Sequence, residues 1–161
     1  KPFEKLRGCL PPVANTSVAH MSIDPGLNAG WALWTDSHEL AACGIGSPPF
    51  FDWDFMTVTI EKPQVYPRMK VPPNDLIALA ITVGRMSMLA AAEYADVQLV
   101  TPHEWKGSTP KDIHNARVLN ALSSKELETV KIADREVPKG QRNNMIDAIG
   151  IGLFAYRGMK L

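Results

Sequence analysis

Residues 17–34 read SVAHMSIDPGLNAGWALW, and this stretch sets the expected fold. Residues 17–23 read as a strand that stops at Asp24, where Pro25-Gly26 is a turn signal. Residues 30–34 (GWALW) follow one tight turn later as a second strand, and residues 39–46 (ELAACGIG) as a third. Hairpin-length connections join the three into an antiparallel meander. Further out, residues 56–60 (MTVTI) are apolar and β-branched, as in a central buried strand, and end at Glu61. A long apolar helix is expected over 74–94, with Asn74 as N-cap and Asp75 at its positive end. A short strand follows at 97–100 and a loop at 102–110. An amphipathic helix is expected at 111–122, then a polar helix or turn to 132. After a break at Pro138-Lys139-Gly140 the last helix covers 143–156. The succession βββ, β, α, β, α, α predicts an α/β protein with a mixed sheet and helices packed on it. Residues 1–17, with Pro11 and Pro12, are expected to form an arm or tail, and 18–161 the folded domain.

Composition narrows the function. The chain has 161 residues and is 45% hydrophobic and 21% charged, so it is globular rather than disordered or fibrous. Seventeen Lys and Arg balance seventeen Asp and Glu, which argues against a protein that coats nucleic acid non-specifically. Net charge says nothing of a local basic patch. Cys9 and Cys43 are too few for a disulfide framework and lack zinc spacing, as in a reducing compartment. Residues 1–10 lack the continuous apolar run of a signal peptide, and no apolar stretch approaches the roughly 18 uncharged residues of a membrane span. A cytoplasmic setting without a membrane partner is the expectation.

Three acids carry the chemistry. Asp24 ends the first strand, Glu61 ends the later central strand, and Asp147 lies in the last helix, in NNMIDAIGIG. Each follows an isoleucine, so each stands at the rim of the core. Acids gathered there repel one another and raise one another's pKa. A divalent cation offsets that repulsion, and magnesium, a hard ion that keeps several waters, suits a few carboxylates and a phosphate. Gly150 and Gly152 each cost a helix interior about 1 kcal/mol against alanine. With Ala148 and Ala155 they let the helix approach the sheet, carrying Asp147 toward the strand ends.

The succession DPGLNAGWALW, VTIEKP and NNMIDAIGIG resembles the RuvC-type Holliday-junction resolvases, nucleases of the RNase H-like superfamily. Residues 101–122 (TPHEWKGSTPKDIHNARVLNAL) are similar to that family's segment between its second and last motifs. The resemblance covers residues 18–157. It implies an RNase H-like five-stranded sheet, three antiparallel strands then two parallel, flanked by helices. It implies metal-ligand roles for Asp24, Glu61 and Asp147, and phosphate-facing roles for Lys106 and Lys111. It further implies two Mg²⁺ ions, with Mn²⁺ as a substitute, hydrolysis of phosphodiester bonds in four-way junctions, and a homodimer. The family carries an acid, sometimes a histidine, three residues before the last Asp; here that residue is Asn144, whose amide oxygen is a neutral ligand. Residues 47–55 are too few for the helix the family places before its Glu-bearing strand. That implies a compact, divergent branch, a viral protein acting in a host cytoplasm included.

Candidate DNA contacts follow Glu61. Residues 62–70 (KPQVYPRMK) place Lys62, Tyr66, Arg68 and Lys70 on an extended loop, basic residues beside an aromatic. Tyr66 is the candidate for entering a branch point. Arg142 adds to a basic face before the last helix, with Arg135 and Lys139 nearby. The aromatic loop Phe50, Phe51, Trp53 and Phe55 either covers a sheet edge or marks a partner surface. Residues 76–89 are apolar nearly all round, as for core packing or a dimer seam. Two alternatives stay open: another RNase H-like nuclease acting on RNA–DNA hybrid, flap or duplex, and a junction-binding protein with a degraded site.

Overall fold

The computed structural model describes residues 17–50, 57–66, 71–93 and 95–161. The arm expected over 1–17, except Ser17, lies outside them, as do Phe51, Trp53, Phe55, Arg68 and Lys70. The strands are β1 (Val18–Asp24), β2 (Gly30–Thr35), β3 (Leu40–Ile45), β4 (Thr57–Glu61) and β5 (Asp96–Val100). The helices are α1 (Pro73–Ala92), α2 (Pro102–Trp105), α3 (Lys111–Asn120), α4 (Ser124–Asp134) and α5 (Arg142–Ala155).

The sheet order is β3-β2-β1-β4-β5. β1, β2 and β3 pair antiparallel, while β4 joins β1, and β5 joins β4, in parallel. This is the RNase H-like arrangement of three antiparallel strands then two parallel. Alternation along the strands separates two cores. Met21, Ile23, Leu33, Val58 and Ile60 face α1, whose Val83 and Ala90 are buried against them. Ala32 and Trp34 face the other way, onto α5, with Val118 of α3 and Val130 of α4 in the same cluster. Phe50 is buried in the α1-side core, so part of the aromatic loop covers the sheet.

α5 decides where the site forms. It is buried from Met145 to Leu153 without a break. Each large apolar side chain it buries contributes about 1.5–3 kcal/mol, which outweighs the glycine cost. A Cβ at Gly152 would overlap the Trp34 indole, and one at Gly30 would overlap the Asn144 carbonyl. Helix and strand touch through bare backbone. Ser22 Oγ donates to the Ala148 carbonyl at 2.7 Å and accepts from Trp34 Nε1 at 2.9 Å, which pins the helix across β1 and β2.

Three expectations change. The helix expected from Asn74 starts at Pro73 with Pro72 as cap and no side-chain cap bond, because proline suits the first turn. The loop expected at 102–110 contains α2, closed by a capping box of Thr101 and Glu104 with Pro102 at the first position. And α1, 20 residues long, is by length and composition apolar enough to cross a membrane, despite Asp75 and Arg85.

Candidate active site

β1 and β4 run parallel with Ile23 opposite Ile60, so Asp24 and Glu61 leave the same end of the sheet side by side. Neighbouring strands stand about 4.8 Å apart. By alternation Asp24 shares a face with Ser22, and Glu61 with Thr59, the face that α5 covers. The Ser22–Ala148 bond brings the α5 backbone there, one residue past Asp147. Sequence position thus converts into proximity through register and one helix contact.

Each acid has a different partner. Glu61 Oε2 accepts from Trp105 Nε1 at 2.6 Å and lies 3.6 Å from Lys106 Nζ. Asp147 Oδ2 accepts from Lys111 Nζ at 3.3 Å. Asp24 has no hydrogen bond or ion pair among the described residues. Burial, then the charges of Glu61 and Asp147, push its carboxyl up to about 8, with Lys106 and Lys111 pulling the other way. Burial also raises Glu61, opposed chiefly by Lys106 and the Trp105 bond. Lys106 and Lys111, expected to face phosphate, therefore stand at the site paired with its acids.

The acids stand apart within the site. Among the described residues no three His, Cys, Asp or Glu side chains converge closely enough to hold an ion by themselves. Glu61 is held by Trp105 and Lys106, and Asp147 by Lys111, while Asp24 takes no hydrogen bond or ion pair among the described residues. The donor chemistry nonetheless fits a hard divalent cation, since the groups are carboxylate oxygens and one, Asp24, is half-buried beside two like charges with no ion pair among the described residues.

Asn144 is turned to structural work. Its Nδ2 donates to the Asn28 carbonyl at 2.8 Å, tying α5 to the β1–β2 turn. Its Oδ1 is the atom left for a ligand. Lys62 and Tyr66 follow Glu61 on an extended segment; Tyr66 is 37% exposed and donates to Gln64 at 2.9 Å. Arg142 opens α5 with its Nε 3.0 Å from Asp134 Oδ1, so its charge is already matched. His114 is buried against Trp105 with neither ring nitrogen hydrogen-bonded, and burial lowers its pKa.

Trp105 was not among the expected site residues. The signal for its placement is TPHE, a Thr-x-x-Glu capping box with Pro at the first helical position, which fixes a turn just before Trp105 and Lys106.

The sequence matches no protein-family model, and no curated protein matches it. Solved structures to which the chain is similar include Thermus thermophilus RuvC, at 18% identity and a TM-score of 0.49, over 86% of this chain and 96% of that one. T. thermophilus RuvC in complex with a Holliday junction substrate is similar at 16% identity and a TM-score of 0.45, over 86% and 95% of the two chains.

Proposed function

We propose that this chain is a divalent-metal-dependent endonuclease of branched DNA, with the four-way junction as favoured substrate. The observation that carries the metal site is Asp24: a half-buried carboxylate at a strand end, close enough to Glu61 and Asp147 for their charges to act on it, with no ion pair among the described residues. Asp24, Glu61 and Asp147, with Asn144 Oδ1, would hold Mg²⁺, two ions being expected. Ions bound there supply activation of the attacking water and neutralisation at the departing 3′ oxygen. Lys106 and Lys111 bring two ammonium groups to the same rim, where charge on the scissile phosphate grows. Lys62 and Tyr66 lie next along the chain from Glu61 and would supply a phosphate contact and a stack on an opened base. The preference for a junction rests on the motif resemblance. The test is cleavage of a mobile four-way junction in Mg²⁺ beside Asp24→Asn and Glu61→Gln. Paired symmetric nicks by the wild type, lost in both variants, are expected; strong preference for an RNA–DNA hybrid assigns a different nuclease.

One observation favours a second reading. The Asn144 amide is engaged by Asn28 and adds no charge, as in a junction-binding protein whose site has decayed. Tight junction binding with no cutting in millimolar Mg²⁺ or Mn²⁺, restored by Asn144→Asp, decides for it.

A further inference from the structure

We infer that Trp105 is a positioning residue for Glu61, an assignment that rests on the nuclease reading above. The indole N–H donates to Glu61 Oε2 at 2.6 Å, and Lys106 Nζ addresses the same oxygen from 3.6 Å. Oε1 takes no hydrogen bond among the described residues. The indole bond and the ammonium's charge therefore both act on one oxygen and leave the other to a cation shared with Asp24. A charge-assisted bond of this kind fixes the carboxylate's rotamer without using up its ligand atom.

Trp105 is itself held from behind. It is 2% exposed, and its ring meets His114 edge-on with centroids 4.8 Å apart. The Lys106 ammonium lies 4.6 Å over its face. Gly150 makes room for it, since a Cβ there would stand 2.7 Å from Trp105 Cζ3. The α2 capping box sets the backbone that delivers it. Packing alone does not need the N–H on an acid: Trp34 gives its own to a serine, and Trp31 Nε1 is buried without a partner.

Mn²⁺ uptake by the DNA-free protein, followed through loss of the free-ion EPR signal, tests the assignment. Trp105→Phe keeps a ring against His114 and removes the N–H. The expected result is about 10- to 100-fold weaker Mn²⁺ binding, with KM for junction DNA unchanged and kcat recovered at high metal. Wild-type protein supplies a second measurement, independent of whether the variant folds. The Trp105 indole ¹H–¹⁵N resonance is expected to move on adding Mg²⁺ and to shift strongly in Glu61→Ala. Equal Mn²⁺ affinity in folded Trp105→Phe, or an indole resonance indifferent to both Mg²⁺ and Glu61→Ala, overturns the assignment. Wild type that binds Mn²⁺ normally yet cuts no DNA overturns the nuclease reading and leaves the Trp105 result standing. No Mn²⁺ uptake by wild type overturns both.

Discussion

The Asp24 carboxyl sits at the end of β1 with a pKa pushed up to about 8, by burial first and by Glu61 and Asp147 second. In the unfolded chain the same group titrates near 3.8. The folded state therefore holds this proton more tightly. The contribution of Asp24 to stability is full below about 3.8 and is lost as pH rises through about 8. Lys106 and Lys111 offset part of that loss, but each is already engaged by another acid. In EDTA at pH 8.5 the wild type carries a half-buried, poorly compensated charge that Asp24→Asn removes. That variant is expected to raise unfolding free energy by roughly 1–2 kcal/mol at pH 8.5. At pH 5, nearer the lower end of that window, the gain should be much smaller, and it should vanish only below about 3.8, where the group is neutral in both states. Urea unfolding at the two pH values reads the difference, and the same variant should not cut DNA. A variant less stable than wild type at pH 8.5 would show Asp24 making favourable contacts that its surroundings do not indicate.

At the scale of elements, α5 is brought to the sheet by absent side chains. Gly30 lies under the Asn144 carbonyl, and Gly152 under the Trp34 indole. Overpacking a filled core costs about 1–3 kcal/mol. Gly30→Ala meets rigid backbone and Gly152→Ala a side chain, so Gly30→Ala is expected at the upper end of that range and Gly152→Ala below it. Gly30→Ala also lifts the helix turn that carries Asn144 and Asp147, so cleavage should fall further than stability predicts. Denaturant midpoints beside initial cleavage rates check both. This close approach was legible in the sequence, because glycines inside an apolar helix have few other uses. The strand-end acids were legible too: Ile-Asp-Pro-Gly and Ile-Glu-Lys-Pro each join a buried run to a chain break. α2 was hidden by the prolines around it, although Thr101, Pro102 and Glu104 encode its start. The Trp105 bond to Glu61 depends on a contact 44 residues apart, which no local pattern reports. Nor does composition distinguish a core helix from one with a bare face, and α1 proved to be the latter.

At the scale of the whole molecule the two faces of the sheet are unequally covered. α3, α4 and α5 share one core, and α1 covers the other. On its outer side α1 shows Ile77, Ile81 and Met88 at 58%, 52% and 67% exposure. Gly84 completes the stripe, with open space where a Cβ would stand. Steps of four, three and four residues are the spacing of a seam between two helices. Under the proposed function, two nicks placed symmetrically on one junction need two sites, and a twofold axis along this seam would supply them. These side chains are already partly covered, so burying the rest of all three on each of two copies yields roughly 5–11 kcal/mol. Association costs about 4–15 kcal/mol, so the seam is near sufficiency and sensitive to a single charge. Ile81→Lys with Met88→Lys should turn a dimer into a folded monomer, seen by sedimentation equilibrium at micromolar concentration. The monomer is expected to make single nicks and lose the paired ones. A wild type that sediments as a monomer on junction DNA defeats the seam. A monomer that instead floats with lipid vesicles, and loses that behaviour in the double variant, would give this face to a membrane surface.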